Sequence, residues 1–173
     1  MPPVQTGAMN GTPTIRLASP ADAAAINDIY NPYVTHSTAT FRLEPFTLRE
    51  RQEWLTGRPP EHPVTVAEIG GSVVGWCALT SFRPRAAYAR SAEVGLYIRE
   101  PFHRRGIGRA LIEDAIARGR AAGLHVIIGG CCHETAGSIG LLKACGFAQV
   151  AHFREVGYKF GRWLDVIFFE LVL

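Results

Sequence analysis

AEVGLYIREPFHRRGIGRALIEDAIARGRAAG, residues 92–123, decides how the rest of the chain is read. Val94 to Ile98 is a short β-branched and aliphatic run, suited to a strand. Glu100-Pro101 breaks it, because proline brings no N–H to a ladder. Arg104-Arg105-Gly106-Ile107-Gly108-Arg109 follows and opens a helix. In that helix Ile107, Leu111, Ile112, Ala115 and Ile116 fall on one stripe, with Glu113, Asp114, Arg118 and Arg120 away from it. Gly123 is a natural C-terminal stop. A strand, a basic glycine turn and a helix N-terminus together make an anion site. The glycines let backbone N–H groups approach a phosphate, and the helix dipole adds partial positive charge. The plain alternative for so short a pattern is a tight helical turn with no ligand.

Two familiar nucleotide loops do not fit. A Walker loop ends in Gly-Lys-Ser/Thr, whereas Gly108 is followed by Arg109 and Ala110. The dinucleotide fingerprint needs a third glycine, and Leu111 stands in its place.

The surrounding composition is that of an ordinary folded domain: 173 residues, 47% apolar and 19% charged. A net charge of +3 is too mild to argue for a nucleic-acid partner, which calls for a concentrated basic face. Cys77, Cys131, Cys132 and Cys145 show no C-x-x-C spacing and have apolar neighbours. They read as free buried thiols in a reducing compartment. Cys131-Cys132-His133 lacks a second ligand pair at a zinc-like spacing, so no metal is expected. No apolar run approaches the roughly 20 residues that span a membrane, and a cytoplasmic location is expected.

Residues 1–13 carry no charged side chain and read as a loose tail, leaving 14–173 as a single domain. Thr14 to Leu17 is a first strand. Ser19-Pro20 caps a helix whose stripe is Ala23, Ile26, Ile29 and Tyr30, with an end expected at Asn31-Pro32. A polar loop, His36 to Pro45, leads to a capping box at Thr47-x-x-Glu50 and a helix closing near Gly57. Val64 to Ile69 and Val73 to Leu79 flank the hairpin signal Gly70-Gly71. Arg83 to Arg90 is a basic loop that feeds the central strand. Val126-Ile127-Ile128 reads as a strand buried on both faces. A helix follows from about Thr135 to Cys145. Phe147 to Val156 and Leu164 to Leu173 are the last strands, joined by a loop from Gly157 to Arg162. The order β-α-α-β-β-β-α-β-α-β-β predicts an α+β fold with a mixed, mostly antiparallel sheet flanked by helices.

That order, and the loop at Gly106 and Gly108, resemble the GNAT family of N-acetyltransferases, whose acetyl-CoA pyrophosphate loop reads Gln/Arg-x-x-Gly-x-Gly/Ala. His103 occupies the Gln/Arg position. Phe41-Arg42 with Glu44-Pro45, Arg85-x-Ala87-Tyr88 before Glu93, and Gly157-Tyr158-Lys159 before Gly161, Trp163 and Asp165-Val166 are similar to the phosphinothricin and methionine sulfoximine acetyltransferase branch. Ser138-Ile139-x-Leu141 and Gly146-Phe147 fit the family's last helix. The resemblance implies acetyl-CoA as co-substrate, held by Leu96, Tyr97, Ile98, Arg104, Arg105, Gly106, Ile107, Gly108, Arg109 and Thr135. It implies Glu93 as base, an acceptor site at Phe41, Arg85, Ala86, Ala87 and Tyr88, and a homodimer formed through the chain's tail. The acceptor it implies is a small amino acid analogue. Acetylation of a protein N-terminus, or a CoA-binding module without catalysis, are the alternatives. Two positions depart from the family: Thr135 stands where asparagine is common, and Leu142 where histidine or tyrosine is often found, the tyrosine being the acid proposed for the CoA thiolate in many relatives. Cys145 and His133 are the nearby candidates for that proton.

The chemistry is consistent with those roles. An ammonium has no lone pair, and a model α-amine titrates near about 8, so a carboxylate base helps at neutral pH. A thiolate with a pKa of roughly 8.5 is a tolerable leaving group without an acid. A free N–H in the central strand could stabilise the oxyanion. For Arg83, Arg85 and Arg90 a solvated basic loop competes with recognition of an acceptor carboxylate. Tyr97, Phe160 and Trp163 read as packing or interface residues.

Overall fold

The computed structural model describes residues 11–173, so most of the expected N-terminal tail lies outside the described residues. The elements are β1 (Thr14–Leu17), α1 (Ala23–His36), α2 (Leu48–Thr56), β2 (Val64–Ile69), β3 (Ser72–Ser81), β4 (Ser91–Ile98), α3 (Ile107–Ala121), β5 (Val126–Cys132), α4 (Ala136–Ala144), β6 (Ala148–Lys159) and β7 (Arg162–Val172). They form one seven-stranded sheet in the order β1-β2-β3-β4-β5-β7-β6. Only β4 and β5 run parallel, because α3 crosses between them; the other neighbours are antiparallel. This is the α+β arrangement expected from the element order.

Strand alternation divides β4 between two cores. Ala92, Val94, Leu96 and Ile98 pack with α3, whose Ile107, Leu111, Ile112 and Ala115 are all buried. Tyr97 turns to the opposite face, where Ile26, Ile29, Tyr30 and Val34 of α1 meet Val66 and Trp76. Glu93, four residues before Tyr97, shares that second face. The C-terminus of α3 stops as expected at Gly123 (φ 76°), with Leu124 N–H on the Gly119 carbonyl and Gly123 N–H on the Arg120 carbonyl, both at 3.0 Å.

Several boundaries differ from expectation. Helix α1 does not end at Asn31-Pro32 but continues through Pro32 to His36. Its last turn is held by the buried Val34 and by Tyr33, whose ring meets Tyr97 at 5.3 Å. Strand β4 begins at Ser91, which places Glu93 inside the strand rather than before it. Strand β5 runs on to Cys132. The segment from Gly157 to Lys159 is strand, and the connection shrinks to a two-residue turn with Phe160 at φ 53° and Gly161 at φ 74°.

One register matters more than the rest. β4 and β5 pair only over Ser91–Glu93 against Val126–Ile128. Beyond that point β4 stays with β3 as far as Ile98, and β5 stays with β7 as far as Cys132. The two parallel strands therefore splay, and the sheet opens a gap just past Glu93.

Candidate active site

The gap is a cleft of about 420 Å³. One wall is β4 from Glu93 to Tyr97 and the other is β5 from Gly129 to Cys132, with Leu141 and Leu142 of α4 nearby. Thr38 to Phe41, from the loop between α1 and α2, also line the cleft. Gly129 and Gly130 lie inside a strand, where glycine signals close approach by another group. A Cβ on Gly129 would lie 2.6 Å from Leu142 Cδ1, and one on Gly130 would lie 3.6 Å from Glu93 Oε1. Two adjacent glycines inside a strand are the sequence signal for this wall, and they belong to none of the motifs above.

The edge of β4 supplies hydrogen-bonding groups. Arg99 N–H bonds to the Val74 carbonyl on β3 at 2.9 Å. Antiparallel alternation then turns the N–H and C=O of Leu96 and Ile98 toward the gap, and those of Tyr97 toward β3. The Ile98 carbonyl already accepts from the Tyr33 hydroxyl at 2.5 Å and lies 2.9 Å from His103 Nε2. Leu96 is thus the β4 residue best placed to bond an extended pantetheine arm. Tyr97 enters the cleft by its ring, which packs 4.7 Å from Tyr30 and 5.0 Å from Trp76.

At the mouth, Arg104 (φ 59°) and Gly106 (φ 79°) both adopt the left-handed region and aim the chain into α3. The first helical bond runs from Ala110 N–H to the Gly106 carbonyl at 3.0 Å. The N–H groups of Ile107, Gly108 and Arg109 are left at the helix end without intrahelical acceptors. Arg104, Arg105 and Arg109 of the same turn are exposed, Arg109 donating to Glu113 at 2.7 Å and Arg105 lying over the Phe102 ring. Such a turn fits the pyrophosphate of acetyl-CoA. Within the protein itself the two glycines meet different surroundings. A Cβ at Gly106 would meet nothing within 4 Å, so this glycine serves the backbone angle. Gly108 is buried, and a Cβ there would lie 2.9 Å from Leu141 and 3.3 Å from Ile98, so this glycine lets α4 pack.

Glu93 stands at the apex of the splay, half-buried, its main-chain carbonyl 3.3 Å from the Thr80 hydroxyl. Burial raises its pKa above the usual carboxylate range, and the nearby Arg83 charge opposes part of that rise. A carboxylate with raised basicity, open to a cleft, suits proton abstraction.

The remaining predicted residues are more scattered. Phe41 lines the cleft. Ala86–Tyr88 form an exposed single-turn helix outside the lining, with Arg85 extended just before it and Tyr88 against Phe82 at 5.8 Å. The Thr135 hydroxyl lies at the cleft but donates to the Cys132 carbonyl at 2.7 Å, closing the turn into α4. Leu142 is buried over Gly129. Cys145 and His133 do not line the cleft, whereas Cys131 and Cys132 do. Burial pushes the Cys131 thiol up to about 11. All four cysteines are free, and three are buried. Among the described residues, no three His, Cys, Asp or Glu side chains gather to hold a metal, and no helix is long and apolar enough to cross a membrane.

Comparison with known proteins agrees with this geometry. The chain is 36% identical over 162 residues to the L-methionine sulfoximine/L-methionine sulfone acetyltransferase of Pseudomonas paraeruginosa, covering 92% of this chain and 94% of that protein. A phosphinothricin acetyltransferase from Sinorhizobium meliloti, solved in complex with acetyl-CoA, superposes with a TM-score of 0.89 at 32% identity, over 94% of this chain and 89% of that one. A ribosomal-protein-alanine N-acetyltransferase from Brucella melitensis superposes equally well, with a TM-score of 0.89 at 37% identity over 92% of this chain and 99% of that one. The sequence model of the acetyltransferase (GNAT) family matches residues 24–147. With its splayed parallel pair and its glycine turn at the start of α3, the chain belongs to the acetyltransferase (GNAT) family.

Proposed function

We propose that this acetyltransferase carries the acetyl group of acetyl-CoA to the amino group of a small amino acid analogue, of the methionine sulfoximine or phosphinothricin type. The observation that carries this reading is Glu93, a half-buried carboxylate of raised pKa at the point where β4 and β5 part. In this reading the turn from Arg104 to Arg109 binds the pyrophosphate, and the Leu96 edge aligns the pantetheine arm toward Glu93. Glu93, directly or through a water, takes the proton that frees the amine lone pair. A Leu96 N–H aimed into the gap supports the charge that develops on the acetyl oxygen. Leu142 has no proton to give, so the CoA thiolate leaves unassisted.

The acceptor's carboxylate is assigned to the basic loop. Arg83 already influences Glu93 electrostatically, and Arg85 with Tyr88 lies on the same exposed turn. Closure of that loop over the cleft would bring a planar guanidinium to the carboxylate. Thr38 to Phe41 narrow the acceptor end, which favours a small molecule. The similarity to a ribosomal-protein-alanine N-acetyltransferase supports a second reading, in which the terminal residue of a peptide enters the same end. Turnover of methionine sulfoximine, phosphinothricin and a short alanine-initiated peptide, measured by release of the CoA thiol, separates the two. Turnover of the peptide alone would overturn the first.

The chain is assigned to a cytoplasmic homodimer. Val156, Tyr158, Phe160 and Trp163 are each more than half exposed on the outer side of the β6–β7 hairpin, an apolar surface suited to a second copy. Sedimentation of the wild type and of Trp163→Glu tests this, and a monomeric wild type would refute it.

A further inference from the structure

Lys159 is only 3% exposed, yet its ammonium does not enter the cleft. Its Nζ donates to the main-chain carbonyls of Ser37 and Thr40, each at 2.7 Å, and lies 3.5 Å from that of Tyr33. Those oxygens belong to the last turn of α1 and the loop after it. A cation at the C-terminus of α1 is favoured by the helix dipole. The contacts span more than a hundred residues of sequence, so Lys159 pins that loop to the far edge of the sheet.

Two residues earlier on the same face, Gly157 has no positive φ to explain its being glycine. A Cβ there would sit 2.0 Å from Phe41 Cε2, so the ring of Phe41 lies directly on the Gly157 backbone. At the hairpin turn, Arg162 holds both carboxylate oxygens of Glu134, and Glu134 in turn accepts from the Thr38 hydroxyl at 3.3 Å. The Tyr30 hydroxyl meets Thr40 Oγ1 at 2.7 Å from below. Ser37, Thr38, Thr40 and Phe41, which these contacts hold directly, belong to the segment that lines one end of the cleft, and the Arg162–Glu134 pair supports Thr38 from behind.

We propose that Lys159, with Gly157 beside it, is a positioning residue that fixes the Ser37–Phe41 loop as the acceptor wall of the active site. This deepens the acetyltransferase reading and rests on it, since the loop matters to the reaction only if the amine enters beside Glu93. Without the ammonium, three carbonyls lose their buried donor and the loop must move to find water. Misplacement by about 1 Å can cost about 10²-fold in rate. The pyrophosphate turn and the β4 edge do not touch Lys159, so acetyl-CoA binding is expected to survive.

The test compares Lys159→Met and Gly157→Ala with the wild type. In both variants kcat/KM for methionine sulfoximine should fall by about 10²-fold, while the KM for acetyl-CoA and its thermal shift stay within about twofold of wild type. Amide hydrogen exchange should quicken over residues 37–41 and not in α3. Unchanged acceptor kinetics, equal losses toward both substrates, or exchange that quickens evenly over the sheet would overturn the proposal. Where Lys159→Met does not fold, Gly157→Ala decides, since it keeps the ammonium and displaces only the Phe41 ring. If the wild type acetylates only a peptide, the small-acceptor reading fails by itself and the same kinetic split is read with the peptide. If it acetylates no amine, the exchange pattern alone decides on Lys159.

Discussion

Replacing Glu93 by glutamine is the most direct probe of the chemistry. The amide keeps the shape of the side chain beside Gly130 and removes only the charge and the basicity. A positioned general base contributes roughly 10²–10⁴-fold, and the lower figure corresponds to about 2.7 kcal/mol in the barrier. For an acceptor amine of pKa about 8, roughly a tenth is neutral at pH 7 and roughly nine-tenths at pH 9. The variant should therefore recover about tenfold between those pH values, and its deficit should shrink accordingly. On the acid side, the raised pKa of Glu93 places the wild-type limb of kcat/KM above the ordinary carboxylate range, and the variant should lose that limb. Stability supplies an independent sign. A carboxyl whose folded pKa is raised binds its proton more tightly in the native state, so its charge destabilises the fold once pH exceeds the unfolded pKa. Glu93→Gln should accordingly raise Tm at pH 7, with the gain fading as pH falls through the raised pKa of Glu93 and gone below the usual glutamate range. Steady-state rates from pH 5 to 9 and thermal melts check both. Full activity at pH 7, or a deficit of the same size at pH 7 and pH 9, would remove Glu93 from the mechanism.

Other consequences are as specific. Acetyl-CoA at a hundred times its Kd should stabilise the wild type by about 2.7 kcal/mol, and Gly108→Val should lower both the melting point without ligand, through Leu141, and the shift with it. An undiminished shift would detach the turn from the cofactor. Arg85→Ala should raise the acceptor KM by an amount equivalent to about 1 kcal/mol, the scale of an exposed ion pair, and leave that of acetyl-CoA unchanged. A parallel rise in both would refute the assignment of the basic loop. Leu142→Ala should cost about 2–5 kcal/mol and Gly129→Ala about 1–3, but the double variant should be less destabilised than their sum, because the Cβ added at residue 129 fills the space Leu142 vacates. Strict additivity in chemical denaturation would refute that packing. Asp22, held down to about 2 mainly by its hydrogen bonds from Arg16, lends stability above the unfolded carboxylate pKa that is lost as pH falls through about 2. Asp22→Asn should thus cost about 1 kcal/mol near neutrality, judged by thermal melts, and nothing at the acid extreme.

The sequence carried the local features of this protein well and its long-range pairings poorly. The strand at Val94–Ile98, the turn at Gly106 and the capping box at Thr47 depend on neighbours within a few residues, and each stands in the structure close to where the pattern puts it. The passage of α1 through Pro32 was hidden because the favourable contacts come from elsewhere: Tyr97 and Ile98, more than sixty residues away, engage Tyr33. The splay of β4 from β5 is also invisible locally. It arises because β5 follows β7 to Cys132 while β4 follows β3 to Ile98, and no local periodicity records a choice of partner.

The β6–β7 hairpin shows what such distant pairing does for function. Along one strand, Gly157 and Lys159 turn inward and hold the loop that faces Glu93, while Val156 and Tyr158 turn outward with Trp163. A single alternating strand thus presents exposed apolar side chains on one side and holds the Ser37–Phe41 loop on the other. The bulge between Phe153 and Gly157, with Glu155 at φ 51° and its N–H on Asp165 at 2.9 Å, sets which residues face which way. Moving the strand by one residue would put Tyr158 where Lys159 now donates, leaving the Ser37 and Thr40 carbonyls with no cation and exposing the lysine to the apolar face. The Gly-Tyr-Lys pattern is therefore intelligible as a register: a residue with no side chain under Phe41, an aromatic for the outside, and a buried ammonium for three carbonyls.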